Sequence, residues 1–445
     1  MPSSAIPVAY FAFAHACFAA GLAALALDPG LAGVSFYHPK MIAIVHLLTL
    51  GWISGSILGS FYVVAPLALA IPMPAGWRDW TVFAAFATGT TGMVAHFWLG
   101  TYDGMAWSAG LVLAAIAHLG WRATRGLSAS PAAWPVALHV RLAFFNILAA
   151  GVFGILIGLD RTRGFLGLAP VAATYAHAHL AALGWAVMMV MGLSYRLIPM
   201  MLPSAMPSGR SLAASAVLLE TGLVLLVLSV LSGWPLVPAA GLFILCGLAA
   251  FVLQIMRTAA RRMPRPPALP RRDWSVWQVH AAFLWLLVAS VLGYIVSRAD
   301  AAPDLPRAWV YGTAGLVGFL AQIIVGMHGR LVPYYAWYRA MAAHGGRPRR
   351  GANALPSARF ARAVFFAWLP GVPLLAWGLA SAGSAAIRSA AVLLLTGVAL
   401  HAAHLVYMLL QAGAPIHADR DLRRTDGGGA VAAAREEPRS HAWGA

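Results

Sequence analysis

The chain has 445 residues, of which 61% are hydrophobic and only 10% charged, and its mean hydropathy is +0.77. Soluble domains carry about 25% charged residues, so a water-soluble globular fold is excluded. The formal charge of +17 invites a nucleic-acid reading, but the arginines are gathered in the connections between apolar runs, where they act as a topology signal and leave no basic face for nucleic acid.

Twelve apolar runs follow one another, at about 8–27, 42–70, 80–100, 104–121, 137–159, 171–201, 211–232, 235–256, 275–297, 309–332, 360–382 and 387–411. Each is near the roughly 20 residues a helix needs to cross a bilayer. Lipid offers backbone amides no partner outside a helix or a closed barrel, and long continuous runs suit helices. The expected fold class is therefore an all-α polytopic membrane protein. Residues 1–27 lack a basic leader and read as a first membrane helix, not a cleavable signal peptide. Residues 1–412 read as one membrane domain. Residues 413–445 are Gly- and Arg-rich and read as a disordered cytoplasmic tail. The segment Tyr334 to Pro356 reads as a loop.

Basic residues are dense after even-numbered runs: Arg257, Arg261, Arg262, Arg265, Arg271 and Arg272 in one connection, Arg347, Arg349, Arg350, Arg359 and Arg362 in another. After odd-numbered runs only Lys40, Arg161, Arg163, Arg298 and Arg307 appear. The positive-inside rule places both termini in the cytoplasm and the chain in the cytoplasmic (inner) membrane. Cys17 and Cys246 both lie in apolar runs, so neither a disulfide framework nor a Cys-ligated metal is indicated.

The second run contains HLLTLGWISGSILGSFYVVAP, from His46 to Pro66, and the sixth HLAALGWAVMMVMGLSYRLIP, from His179 to Pro199. They match without a gap in H-L-x-x-L-G-W, then Gly, Tyr and Pro. The tenth run carries a fainter copy from Thr313 to Pro333, with threonine in place of histidine. His46, His179 and Thr313 are 133 and 134 residues apart, and each interval holds four runs. The first run of each quartet also has a histidine: His15, His139 and His280. The chain thus reads as three tandem units, about 8–121, 137–256 and 275–411, expected to form a ring with pseudo-threefold symmetry around helices 2, 6 and 10. The repeated glycines suit close helix packing, and the prolines mark where each helix leaves the membrane.

Polar side chains in hydrocarbon are costly and usually kept for function. His46 lies about 9 Å, His96 about 10 Å and His179 about 13 Å from the outer side, with His177 slightly shallower. These four share one layer in the outer half. His177 and His179 are about 200° apart around their helix and face different neighbours. Imidazole ligates haem iron and copper. The deeper His15, His118, His139, His280, His328, His401 and His404 read as hydrogen-bonding groups between packed helices.

The segment HAHLAALGWAVMMVMGLSYRLIP resembles the H-x-H helix of haem–copper oxidase catalytic subunits, especially the cbb-type branch. The chain is also similar to the NnrS-type proteins, which have twelve helices and are linked to haem, copper and nitric oxide. The resemblance implies a haem–copper oxidase subunit I-like fold. It implies His177 as a high-spin haem ligand, His179 as a low-spin haem ligand, and His46 as low-spin ligand or copper-helix residue, with His96 a further copper candidate. The family places H-x-H on helix 10, where this chain has Thr313, and its adjacent His-His copper pair is missing here.

The reading that follows is a membrane redox protein binding b-type haem, and copper in a fuller version. It would act in electron transfer or in nitric oxide or oxygen chemistry. His46 and His179 are the expected pair around one haem, with His177 and His96 serving a second haem or copper. Electrons would come from a donor protein or quinol, and further membrane subunits are compatible with it. Two other readings are a transporter of metal, haem or protons, and a membrane subunit or assembly factor without cofactor. Repeats and titratable histidines favour transport; the near-absence of intramembrane carboxylates other than Glu220 weighs against it.

Overall fold

The computed structural model describes residues 4–33, 35, 37–264, 273–298, 305–344 and 350–413. Twelve long helices run through them: α1 Ile6–Leu27, α2 Pro39–Ala68, α3 Trp77–Leu99, α4 Met105–Ser128, α5 Trp134–Arg163, α6 Pro170–Met201, α7 Ser211–Ser232, α8 Val237–Ala260, α9 Trp274–Ser297, α10 Leu305–Ala343, α11 Ala358–Ala380 and α12 Ser384–Gly413. Each falls on one of the twelve apolar runs. Eleven are both long and apolar enough to cross a membrane; α4, which carries His118, Arg122 and Arg125, is as long but less apolar. No β-strand occurs among the described residues, only an isolated bridge between Ser204 and Arg262. The protein is an all-helical, multi-pass membrane protein.

Burial separates three helices from the rest. In the most apolar stretch of α2, α6 and α10, 61%, 67% and 67% of residues are buried, against 22–50% in the other eight spans. These are the helices that carry the repeated motif. Each winds as a π-helix at the same place: Leu47–Ser54, Leu180–Val187 and Thr313–Ala321. The wide turn is visible in the backbone bonds Gly55 N–H to Leu50 O and Met188 N–H to Leu183 O, each five residues back. The three π segments touch one another pairwise and so form the middle of the bundle. π segments of this length are rare and cluster at functional sites.

The motif's glycines explain how the middle is reached. A Cβ on Gly51 would sit 2.3 Å from Cys17 Cβ of α1, one on Gly184 2.6 Å from Asn146 Cβ of α5, and one on Gly318 2.5 Å from Trp285 Cγ of α9. One π-plus-α stretch further on, Gly59 meets Tyr10, Gly192 meets His139 and Gly326 meets Val279 in the same way. Each inner helix thus presses its glycine face against the first helix of its own quartet, the packing that small residues permit in lipid. Across the centre, Trp185 Nε1 donates to Ser54 Oγ at 3.0 Å, tying two π segments together.

Contacts at the bundle's two ends follow the up-and-down chain path. Turns after odd-numbered helices meet at one end, where Arg161 lies over Tyr37, Lys40 over Trp98, and Arg388 Nε donates to Ala26 O. Left-handed glycines, Gly100 and Gly164, close α3 and α5 there. Turns after even-numbered helices meet at the opposite end, which is pinned by the ion pairs Arg122–Asp79 and Arg330–Asp273 (3.1 Å).

Two sequence expectations need correction. Tyr334 to Pro356 is not wholly a loop. α10 runs through Pro333 and on to Ala343, because the extra turns bury Tyr335, Ala336 and Ala340, Ala336 packs with Leu355 and Met408, and Tyr335 OH donates to Ser4 O at 2.6 Å. Burial and that bond outweigh the hydrogen bond that a helical proline forfeits. Arg359 and Arg362 likewise belong to the start of α11, not to the preceding connection. Arg265, Arg271, Arg272, Arg347, Arg349 and the tail from 414 onward lie outside the described residues.

Candidate functional site: a histidine-lined cavity in one half of the bundle

Between the inner helices and α3, α4, α5, α8 and α9 lies a cavity of about 760 Å³. Its volume is within the range of small-molecule and cofactor pockets. The walls are almost wholly aliphatic and aromatic. His46, His177 and His179 all line it, together with Tyr311, Trp309 and Arg161.

Local helix geometry fixes the protonation of the three imidazoles. His46 Nδ1 donates to Ile42 O at 2.8 Å, and His179 Nδ1 to Tyr175 O at 2.8 Å, each to the carbonyl four residues back. His177 Nδ1 donates across to Ala150 O of α5 at 3.0 Å. A carbonyl can only accept, so the proton sits on Nδ1 and Nε2 keeps its lone pair. A backbone carbonyl holding the far ring nitrogen is the arrangement that orients metal-ligating histidines. His46 and His179 each stand immediately before a π segment, at the same repeat position. Gly154 makes room for the third ring, since a Cβ there would lie 2.8 Å from His177 Cε1.

The pairing differs from the one expected. The rings of His46 and His177 lie 6.4 Å apart, centre to centre, with 24° between their planes. His46 also lies parallel to Phe97 at 5.0 Å. His179 turns instead to α10, where its ring stacks on Tyr311 at 6.0 Å and its Nε2 accepts from Tyr311 OH at 3.3 Å. The Nε2 atoms of His46 and His177 have no hydrogen-bond partner among the described residues. His96 is not among the cavity's lining residues. Its Nδ1 donates to Thr101 O at 2.8 Å, and its ring covers Gly104, so it closes the α3–α4 turn.

The sequence did not show that three of the deeper histidines meet. His15 of α1, His328 of α10 and His401 of α12 gather beside Trp52. His15 Nε2 and His401 Nδ1 are 2.9 Å apart, and the rings of His328 and His401 are parallel at 5.6 Å. His404, on the same face of α12, accepts from the Ser357 backbone N–H at 2.9 Å. His139 bonds Ser215 across α5 and α7 at 3.1 Å. These are contacts between packed helices. Only the interval of three residues between His401 and His404 was visible in the sequence; the partners come from opposite ends of the chain. Glu220 is held by Asn146 at 2.8 Å, outside the cavity lining.

Among the described residues no three His, Cys, Asp or Glu side chains come together as a metal-binding group. The site therefore offers two adjacent imidazoles with free lone pairs, a third bonded to a tyrosine, and an apolar enclosure. Comparison of the chain with protein-family models and with curated proteins found no match.

Proposed function

We propose that this chain is a haem-binding membrane redox protein and that His46 and His177 hold the haem in the apolar cavity. The observation that carries this is the pair of Nε2 lone pairs, oriented by backbone carbonyls and unpartnered among the described residues, whose rings lie 6.4 Å apart. These two lone pairs would supply imidazole ligands to a haem iron. A bare copper or zinc ion needs three or four protein ligands; a haem brings four nitrogens and needs only one or two. The donor set and the cavity volume both fit haem better.

Bound haem supplies a one-electron couple. The chain's own residues do the rest. The Ala150 and Ile42 carbonyls keep the protons of His177 and His46 on Nδ1. The aliphatic walls exclude water, which sets the potential through burial. Phe97 supports the His46 ring. With two imidazoles for one iron, electron transfer is favoured over oxygen or nitric oxide reduction. Haem is b-type in this reading, as neither Cys17 nor Cys246 lies in a Cys-x-x-Cys-His sequence. Electrons come from a donor protein or quinol. The distribution of arginine supports cytoplasmic termini in the inner membrane, with the cavity in the outer half. The matched π segments and glycine contacts support three pseudo-threefold units.

The test is the absorption spectrum of protein purified from haem-supplied cells. A low-spin, bis-histidine spectrum is expected. His46→Ala and His177→Ala should each abolish it at normal protein level, and His179→Ala should leave it low-spin. No haem in the wild type, even after reconstitution, refutes the proposal.

A further inference from the structure

Among the described residues one charged side chain, Arg161, lines the cavity, and its setting is unusual. It lies at the end of α5, in the half of the chain's topology that is poor in basic residues. Its guanidinium lies 4.5 Å from the Tyr37 ring centre and 5.2 Å from that of Tyr102, and it donates to Tyr102 OH at 2.8 Å. The ion pairs among the described residues are Arg122–Asp79 and Arg330–Asp273; Arg161 has no carboxylate partner there. Two aromatic faces hold the group in place without cancelling its charge. A guanidinium has five N–H donors in a planar fork, and among the described residues one is used.

An arginine in the outer half works against the charge asymmetry that orients the chain. Its two aromatic partners reach from the α1–α2 connection and the α3–α4 turn to the same point. A positive charge fixed at one end of an otherwise apolar cavity selects a ligand that is apolar along its body and anionic at one end.

We infer that Arg161, clamped by Tyr37 and Tyr102, receives a carboxylate of the molecule that fills the cavity, so that this ligand is oriented with its acid edge toward the turns after the odd-numbered helices. The inference rests on the haem reading for the identity of that molecule, a porphyrin dicarboxylic acid. The carboxylate takes the free edge of the guanidinium as a two-point partner. The histidines then fix the metal, and Arg161 fixes which edge of the ring points out.

The experiment measures binding of four probes to the purified full chain in detergent: haem, haem dimethyl ester, metal-free protoporphyrin IX and its dimethyl ester. The expected result for the wild type is at least about tenfold tighter binding of each free acid than of its ester. Arg161→Gln should bring the acid-to-ester ratio near one while ester binding persists, which shows that the variant is folded. Arg161→Lys should recover only part of the ratio, since a point charge cannot make the two-point contact. Tyr102→Phe, which removes a single hydroxyl, should lower the ratio without abolishing binding. Equal wild-type affinity for haem and its ester, with a normal bis-histidine spectrum, overturns the Arg161 inference and leaves the haem reading standing. Discrimination between protoporphyrin and its ester with no histidine-ligated haem spectrum does the reverse. If no porphyrin binds, both are overturned. An unchanged ratio in Arg161→Gln places the carboxylate elsewhere and overturns the inference.

Discussion

Gly154→Ala tests the cavity without replacing any proposed ligand. The new methyl would lie 2.8 Å from His177 Cε1 and 3.2 Å from its Nδ1. Ordinary contact needs about 3.4–4 Å, so the ring must shift by about 0.6 Å or leave its rotamer. Either movement weakens the 3.0 Å bond from Nδ1 to Ala150 O. A neutral hydrogen bond contributes about 1 kcal/mol net, and an off-rotamer torsion costs about 1 kcal/mol. The sum, about 2 kcal/mol, corresponds to roughly 30-fold in affinity. That agrees with the 10–100-fold usual when the group that orients a ligating histidine is lost. Gly151→Ala is the control. It lies one turn away on α5, gains the same helix propensity, and meets only the end of the Leu113 side chain at 2.7 Å. Haem titration in detergent, followed by absorbance, should show Gly154→Ala weakened by about 30-fold and Gly151→Ala near wild type. Equal affinities for Gly154→Ala and wild type, or equal losses in the two variants, would refute the reasoning.

His401→Leu breaks the 2.9 Å contact with His15 between α12 and α1 and should lower the melting temperature while leaving a haem spectrum unchanged. Interhelical bonds of this kind contribute about 0.6–2 kcal/mol; a lost spectrum in a still-folded variant would move the cofactor to the other half of the bundle. Gly51→Ala places a methyl 2.3 Å from Cys17 Cβ, whereas Gly110→Ala points into open space. Thermal denaturation should show the first destabilised by about 1–3 kcal/mol and the second not destabilised. Asp273→Asn leaves the buried Arg330 guanidinium without its ion pair and should cost about 3–5 kcal/mol in the same assay. A reporter enzyme fused after Ala445 should be active only when its assay requires a cytoplasmic location; activity confined to the periplasm would invert the topology.

The twelve helices were legible because a bilayer leaves the chain little choice. An apolar run of about 20 residues must be helical, and its length is written directly in the sequence. The threefold repeat was legible because each inner helix needs a glycine wherever it meets its quartet's first helix, and Gly51, Gly184 and Gly318 stand at matching intervals. The common depth expected for His46, His96, His177 and His179 came from counting rise along a helix, and three of the four line one cavity. Their partners do not follow from that count. Which imidazole faces which depends on the rotation of each helix about its own axis, and three π segments change that rotation midway. A π turn follows from packing across the bundle, where Trp185 reaches Ser54 and the glycines admit α1, α5 and α9. So the sequence by itself determined the number of helices and their order. Only the tertiary structure decided that His177 meets His46, that His179 turns to Tyr311, that His15, His328 and His401 converge, and that Arg161 is gripped between Tyr37 and Tyr102. Those are contacts between residues far apart in the chain, and their geometry is set by how whole helices press together.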